Sequence, residues 1–230
     1  MDKIYIICNK EKELDRYNNL EKIIYNSNID RSYYEYYAKC WSNDITTHDN
    51  HYVYDGYAFV NLNPAEISLF INHISVLKKI RQEHTSGLFV VLESDAYTFP
   101  GMNFNKEYLD KLVVDSNKLD SWDFINIGAK CQQIFQHDGY PKSTPIQLDT
   151  FRFYNEKRMV CIEGLVWNYQ SIGTFLELFE EYYKENDSVV KDPIDVVIDE
   201  LCKSNKLNIY WSSPPLVVQV SGSIYKSHLR

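Results

Sequence analysis

Two acidic residues stand where an apolar segment of the chain ends. The run 88–92 is unbroken and apolar, and Glu93, Ser94 and Asp95 follow it directly. In extended backbone, residues two apart point to the same side, so the two carboxylates would repel each other unless a cation or a donor lay between them. Mn²⁺ and Mg²⁺ prefer oxygen ligands, commonly one or two carboxylates together with substrate phosphates. The spacing is therefore compatible with a metal–diphosphate site at Glu93 and Asp95.

The same residues have a plainer interpretation. Glu93 and Asp95 can be solvated loop residues, or Asp95 can cap a turn before Pro100. An acidic pair one residue apart is a common pattern, so the spacing alone leaves both interpretations open.

A further acid lies near a predicted helix start. Asp192 can cap this helix with Pro193 at its first position, which places Asp195 at the third position, where a carboxylate favours the helix dipole. If that helix end faces a cleft, Asp195 can also take a proton from a substrate hydroxyl as a general base. Asp199, one turn later, is expected to be solvated.

Four other polar residues are candidates for a binding site. Asn9 and Arg16 follow the first predicted strand, where a nucleotide lies in many α/β folds, but they can equally be a turn residue and a solvated helix residue. His73 lies on an apolar helical face and can be a core histidine. Gln219 interrupts an apolar strand, and a buried amide needs partners, which a substrate could supply.

Composition narrows the class of protein. The chain has 230 residues, 44% of them hydrophobic and 24% charged, which is ordinary for a globular protein. The net charge of −8 argues against a nucleic-acid binder. The five cysteines are scattered without a C-x-x-C pair, which is typical of reduced thiols. With no secretory leader or long apolar run, a cytoplasmic protein without a membrane span is expected.

Hydrophobic periodicity predicts alternating strands and helices. Asn63, Pro64 and Glu66 carry the signature of a capping box at one helix start. The region 31–55 is predicted as loop with short pieces of structure. The predicted strands are 3–8, 57–62, 88–92, 122–128 and 158–165, followed by two late ones within 207–220, and the predicted helices are 10–26, 63–81, 105–118, 171–185 and one starting at 192. This order indicates an α/β fold in one domain, with buried strands of the kind found in parallel sheets flanked by helices.

Several short motifs, in order along residues 3 to 227, resemble glycosyltransferase family 25, which includes lipopolysaccharide glycosyltransferases and collagen galactosyltransferases. They are ELDR, AEISLFINHISVLKKI, LFVVLESDAYTF, WDFINIG, DPIDVVIDEL and PPLVVQVSGSIYKS. Two positions depart from the family pattern, because Ser94 replaces the middle acid of an acidic triple and Asn72 replaces a serine.

The resemblance implies a GT-A-type fold with a Rossmann-like nucleotide-binding sheet. The nucleotide-sugar half would be about 1–128 and the acceptor half about 129–230. The reaction would move a sugar from a UDP-sugar to a hydroxyl of a glycan or glycoprotein, such as a collagen-like hydroxylysine, usually with Mn²⁺ (or Mg²⁺) and generally with inversion. Lipopolysaccharide biosynthesis and collagen glycosylation are the corresponding processes.

The resemblance also implies roles for individual residues. Asp95 would bind the metal, and Glu93 would be either a second metal ligand or a partner for the ribose or sugar of the donor. His228 would be a C-terminal third ligand, and Asp195 would be the catalytic base. The nucleotide site would be formed by the remaining candidates, which are Asn9, Arg16, His73, Ser94, Gln219 and Lys226. The donor sugar, the linkage and the oligomeric state stay open.

Two other functions remain possible from the sequence. A non-catalytic sugar- or nucleotide-binding domain could keep the same fold, as the substitution at Ser94 allows. A metal-dependent nucleotidyltransferase or phosphoesterase would need more acids at strand ends, and Asp123 and Asp138 are the visible candidates.

Overall fold

A computed structural model describes residues 1–46, 48, 51–99, 101–102, 104–130, 139–159 and 161–219. The α-helices of this part of the chain are α1 (Leu14–Asn26), α2 (Pro64–Glu83), α3 (Lys106–Ser116), α4 (Tyr169–Glu185) and α5 (Ile194–Lys203). The strands are β1 (Lys3–Ile7), β2 (Tyr34–Tyr37), β3 (His51–Tyr54), β4 (Tyr57–Val60), β5 (Leu88–Glu93), β6 (Ala96–Thr98), β7 (Phe124–Asn126), β8 (Ile146–Gln147), β9 (Arg152–Glu156), β10 (Gly164–Asn168), β11 (Val189–Val190), β12 (Ile209–Ser213) and β13 (Val217–Gln219).

The main sheet has eight strands in the order β2-β1-β5-β10-β7-β12-β9-β8. Strands β2, β1 and β5 are parallel to one another, whereas β10 runs antiparallel to both of its neighbours, β5 and β7. The expected α/β class with helices flanking a sheet is confirmed, but the sheet is mixed rather than wholly parallel. Two small sheets, β11-β4-β3 and β13-β6, lie beside it.

The two faces of the main sheet carry separate hydrophobic cores. Side chains alternate along β1, so that Tyr5 and Ile7 pack with α2, α4 and α5, whereas Ile4 and Ile6 pack with α1 and α3. Strand β5 alternates in the same way and is buried on both faces. This double burial explains its continuous apolar sequence.

Helix α2 starts as the sequence predicts. The Asn63 side-chain oxygen accepts hydrogen bonds from the backbone N–H groups of Ala65 and Glu66 at 2.9 and 3.0 Å. The Glu66 carboxylate in turn accepts one from the Asn63 N–H at 2.9 Å, which completes the capping box. A cap of this kind contributes about 1 kcal/mol to stability. It fixes the end of α2 that faces the carboxyl ends of β1 and β5.

Helix α5 starts differently from the prediction. Pro193 is the cap residue and makes no side-chain cap bond, so Asp195 is the second residue of the helix rather than the third. The predicted cap, Asp192, instead accepts a hydrogen bond from the Tyr182 hydroxyl at 2.6 Å. Asp199 is buried rather than solvated, because it accepts a hydrogen bond from the Met159 N–H at 2.7 Å and pairs with basic side chains.

The predicted strand 158–165 is also misplaced. The strand begins only at Gly164, because Cys161 adopts a left-handed backbone conformation with φ of 58°, which interrupts an extended segment. Strand β9, which precedes this region, is not predicted from the sequence. The predicted strand 122–128 is confirmed at its centre as β7, and the region 31–55 contains the short strands β2 and β3.

The chain order creates a cleft at one edge of the main sheet. From β1 the chain crosses through α1 to β2 on one side, and it then returns through the β3–β4 hairpin and α2 to β5 on the other side of β1. Ligands of open α/β sheets bind at such a reversal, outside the carboxyl ends of the strands. Among the described residues, no helix is long and apolar enough to cross a bilayer.

Candidate functional site

A cleft of about 600 Å³, counted to its open mouth, lies at the carboxyl ends of β1 and β5. One wall is formed by the residues that follow these two strands and by the start of α1. The opposite wall is formed by the segment after β2 and by the first half of α2. The polar side chains that line the cleft are Asn9, Glu13, Arg16, Ser42, Ser68, Asn72, Glu93, Ser94 and Asp95.

Glu13 connects the three segments of the first wall. Its carboxylate accepts hydrogen bonds from the Arg16 guanidinium at 3.1 Å, from the Ser94 hydroxyl at 2.8 Å and from the Asn9 backbone N–H at 3.0 Å. Arg16 also donates to the Ser94 hydroxyl at 2.8 Å. Sequence reasoning missed Glu13, although it begins the ELDR motif that contains Arg16.

This network gives a physical reason for the serine at position 94. The Ser94 hydroxyl donates to one charged partner, Glu13, and accepts from another, Arg16, in a buried position. A carboxylate at position 94 would stand against the carboxylate of Glu13 and would repel it at low local dielectric. The serine therefore closes the network without adding a second negative charge.

Asn9 shapes the turn after β1. Its side-chain oxygen accepts hydrogen bonds from the backbone N–H groups of Glu11 and Lys12, both at 3.1 Å. It is thus the turn residue that the sequence allowed, and it lines the cleft as well. Arg16, in contrast, is not a solvated helix residue, because its side chain is only 14% exposed.

Glu93 is paired with a histidine of α2. Its Oε1 atom lies 3.1 Å from Nε2 of His73, and both side chains are buried. Burial lowers the pKa of His73 to about 3, and burial followed by the charges of Asp95 and Asp195 raises the pKa of Glu93. His73 is therefore neutral near neutral pH, so its contact with Glu93 is a hydrogen bond rather than an ion pair. His73 lies behind Glu93, and a metal-binding role for Glu93 stays a prediction.

Asp95 lies in the tight turn between β5 and β6, so extended geometry does not continue from Glu93 as the sequence suggested. Its Oδ2 atom accepts a hydrogen bond from the Gln219 side chain at 3.1 Å. Its Oδ1 atom is buried and has no hydrogen-bond partner in the described part of the chain. Burial raises the pKa of Asp95, whereas Arg16 and the Gln219 hydrogen bond act in the opposite direction.

The unpartnered oxygen of Asp95 suits a hard divalent cation. Buried carboxylate oxygens need a partner, and a cation at the mouth of this turn would supply one. Over the described residues, no group of three or more His, Cys, Asp or Glu side chains is arranged to hold an ion. Asp95 would therefore bind a cation as one carboxylate ligand beside phosphate oxygens and water, the mode common for Mg²⁺.

A buried acid that the sequence analysis did not single out lies beside this site. Glu163 directly precedes β10, and its backbone C=O accepts a hydrogen bond from the Glu93 N–H at 3.1 Å. Its side chain accepts one from the Lys130 N–H at 2.8 Å. Burial raises the pKa of Glu163 to about 8, with smaller contributions from the charges of Glu93 and Asp95. In the sequence, Glu163 could have been noticed because it is an acid within an otherwise apolar run.

We predict that this carboxyl makes stability depend on pH. Because its pKa in the folded protein, about 8, exceeds the reference value of 4.5, the folded state binds the proton more tightly, and the free energy of unfolding falls as pH rises from about 4.5 to about 8. Glu163→Gln should remove this contribution and raise the free energy of unfolding at pH 8.5 by roughly 5 kcal/mol relative to its effect at pH 4. Urea unfolding of both proteins at the two pH values measures this, and an equal effect at both would contradict it.

A second prediction concerns the glycine that packs against Glu163. A Cβ atom at Gly128 would lie 2.4 Å from the Glu163 carboxyl carbon, so Gly128→Ala forces a buried side chain to move. We expect a loss of about 1–3 kcal/mol in the free energy of unfolding. The matched control is Gly173→Ala in α4, where the nearest atom would be 3.4 Å away and alanine favours the helix. Equal stability of the two variants would contradict the packing argument.

Asp195 lies near the Glu93–His73 pair. Its carboxylate accepts hydrogen bonds from the Val196 N–H at 3.0 Å and, weakly, from the Cys161 N–H at 3.5 Å. The charge of Asp195 contributes to the raised pKa of Glu93, and it opposes the lowering of the His73 pKa by burial. Asp195 therefore lies at the same end of the sheet as the cleft. Asp195 is half-buried, so part of the residue is accessible to a ligand.

The structure thus gathers most of the predicted site residues at one sheet edge. The cleft is lined by Asn9, Arg16, Glu93, Ser94 and Asp95. His73 and Gln219 are not among the lining residues, but they form hydrogen bonds with Glu93 and Asp95, respectively. Lys226 and His228 lie outside the described residues.

The acids proposed for a nucleotidyltransferase do not add to this site. Asp123 precedes β7, which runs parallel to β5, so it lies at the opposite edge of the sheet, where it accepts a hydrogen bond from the Asn208 N–H at 2.7 Å. Asp138 is outside the described residues.

A scan against models of known protein families finds no match, and a search of curated proteins finds no significant one.

Proposed function

We propose that this chain is a GT-A-type glycosyltransferase that moves a sugar from a UDP-sugar to a hydroxyl group of a glycan or glycoprotein. The observation that carries the proposal is the cleft at the reversal between β1 and β5, where Arg16 and the unpartnered oxygen of Asp95 stand together. Sites for nucleotides in open α/β sheets form at this place. The motifs that resemble glycosyltransferase family 25 point to the same activity.

Charge at the cleft suits a diphosphate held through a cation. Arg16 offers a positive guanidinium on a rigid support, because Glu13 and Ser94 hold it from one side. Asp95 offers a carboxylate oxygen to Mn²⁺ or Mg²⁺. The bound cation would neutralise the negative charge that develops on the departing UDP. Both residues thus act on the leaving group rather than on the acceptor.

Asp195 is the residue we assign to the acceptor. An inverting transfer needs a carboxylate that takes the hydroxyl proton while the oxygen attacks the anomeric carbon from the face opposite UDP. Asp195 is half-buried at the N-terminal end of α5. Its hydrogen bonds from the backbone N–H groups of Val196 and Cys161 hold the carboxylate in place.

A donor screen tests the proposed activity. The protein is incubated with a panel of UDP-sugars and Mn²⁺, and UDP release is measured with and without EDTA. We expect release from at least one donor, by slow hydrolysis without an acceptor, and loss of that release in EDTA. Release that is absent for every donor although UDP binds would favour the second candidate below.

The second candidate is a domain of the same fold that binds a nucleotide or sugar without turnover. The observation that favours it is that Glu93 already pairs with the buried His73, which leaves Asp95 as the acid at the end of β5 whose Oδ1 atom has no hydrogen-bond partner among the described residues. Binding of UDP with no release from any donor distinguishes this candidate from the enzyme.

A further inference from the structure

The cleft is chemically divided, with charged side chains on one wall and uncharged side chains on the other. Arg16, Glu13 and Asp95 stand at the ends of β1 and β5, whereas the wall beyond β2 consists of Ala38, Cys40, Trp41 and Ser42, with Ala65 and Leu69 from α2. In the order β2-β1-β5, the segment after β2 lies one strand spacing from the end of β1 and two, roughly 10 Å, from the end of β5, where Asp95 lies. A ligand that contacts both walls is therefore elongated, with a charged end and a flat or apolar end.

The segment that carries Trp41 is fixed by one side chain of α2. The oxygen of Asn72 accepts hydrogen bonds from the N–H groups of Lys39 at 2.7 Å and Cys40 at 3.1 Å. Its amide nitrogen donates to the Cys40 C=O at 2.8 Å and to the Ser68 hydroxyl at 3.4 Å. All four hydrogen-bonding positions of this amide are thus used.

Ser68 reinforces the same attachment. Its hydroxyl donates to the Cys40 C=O at 3.0 Å, so that two α2 side chains one turn apart hold the residue before Trp41. Both Asn72 and Ser68 are buried. The backbone that carries Trp41 is consequently positioned before any ligand arrives, and little ordering is left for binding to impose.

We propose that Trp41 is the nucleobase-contacting residue of the cleft and that Asn72 is the positioning residue that holds it there. This inference rests on the proposed function and adds where each part of the nucleotide lies. The uracil ring stacks on the half-buried indole of Trp41, and the diphosphate reaches Arg16 and Asp95 at the other wall. Stacking of a base on an aromatic ring is tolerant of base identity, so other nucleoside diphosphates also bind this wall.

The position of Asn72 is where the chain departs from the family pattern, and the hydrogen bonds explain what the departure provides. A serine hydroxyl has one donor and is shorter than an amide, so it cannot reach two N–H groups and a C=O at once. The asparagine supplies all of these contacts to the segment 38–42. Asn72 is buried on α2 and lines the cleft as well.

Calorimetric titration with two probes tests the assignment. UDP carries the base and inorganic pyrophosphate lacks it, and each is titrated in Mn²⁺ into the wild type, Trp41→Ala, Trp41→Phe and Asn72→Asp. Trp41→Ala should weaken UDP binding by about tenfold to a hundredfold, as expected for one lost stack, and leave pyrophosphate within about twofold. Trp41→Phe should retain most of the UDP affinity, because it keeps an aromatic ring.

Asn72→Asp should weaken UDP selectively as well, because it keeps the acceptor oxygen but loses the N–H groups that donate to the Cys40 C=O and to the Ser68 hydroxyl. A residue that only supports the fold would weaken both probes equally, and thermal unfolding of the variant separates that case. Fluorescence gives an independent readout, since the protein has four tryptophans and the other three, Trp122, Trp167 and Trp211, are buried. UDP should quench the wild type and leave Trp41→Phe unchanged.

The outcomes separate this inference from the proposed function. Equal UDP affinity in the wild type and Trp41→Ala, or equal weakening of both probes, overturns the assignment of the base while the nucleotide site stands. If the wild type binds UDP no more tightly than pyrophosphate, the assignment of the base is overturned in the same way. Wild-type protein that binds neither probe overturns the inference together with the proposed function.

Discussion

Asp195→Asn is expected to lower kcat by about a hundredfold to ten-thousandfold, because a positioned general base contributes a factor of this size. Asparagine has nearly the same shape and keeps an acceptor oxygen for the Val196 N–H, so the helix start should survive. The affinity for UDP should be unchanged, since the carboxylate acts on the acceptor. Initial rates of transfer or of UDP release measure kcat, and a UDP titration measures the binding.

The matched control for this variant is Asp192→Asn. Asp192 lies three residues earlier and bonds to the Tyr182 hydroxyl, away from the cleft residues. Its substitution should leave kcat within about twofold. If Asp195→Asn is as active as the wild type, the base is another group; if both variants lose activity equally, the effect belongs to the helix start rather than to the carboxylate.

Asp95→Ala is expected to weaken UDP binding in Mn²⁺ by at least about a hundredfold, since a cation that bridges carboxylate and diphosphate contributes several kcal/mol. The variant should bind UDP as weakly in Mn²⁺ as the wild type does in EDTA. It also removes a buried carboxyl whose Oδ1 atom has no hydrogen-bond partner among the described residues, so the fold should tolerate the change. Isothermal titration with and without Mn²⁺ gives all of these values.

Asp110→Ala controls for the loss of an acid as such. Asp110 is exposed on α3, where it pairs with Lys106, and it does not line the cleft. The Asp110→Ala variant should bind UDP with the same affinity as the wild type, and this affinity should still depend on Mn²⁺. Affinity for UDP that is the same in Asp95→Ala and the wild type, or that EDTA does not change, would contradict the role of Asp95.

Local sequence signals located the elements that line the cleft. The capping box at Asn63 and the buried run before Glu93 are decided by residues close in sequence, and both are confirmed. The start of α5 was misplaced, because Asp192 accepts a hydrogen bond from Tyr182 of the preceding helix, a contact that the capping pattern does not reveal. Asp199 was expected in solvent for the same reason, since its partners come from a segment about 40 residues earlier.

In the candidate site, too, some residues could be found from local sequence signals, whereas the roles of others depend on contacts between distant segments. Asn9, Arg16, Glu93 and Asp95 could be proposed because they follow strands whose carboxyl ends meet at one sheet edge. The roles of Glu13 and Glu163 depend on contacts between segments about 80 and 30 residues apart, which spacing cannot predict. The pairing of Glu93 with His73 likewise depends on where α2 lies against β5.

The central claim is that the carboxylate at position 95 holds a cation against the diphosphate of a nucleotide. A crystal structure of the protein with UDP and Mn²⁺ measures this directly. We predict the ion bound to Oδ1 of Asp95 and to diphosphate oxygens, with Arg16 within hydrogen-bond distance of the nucleotide. Nucleotide and ion located away from the turn after β5 would contradict the account.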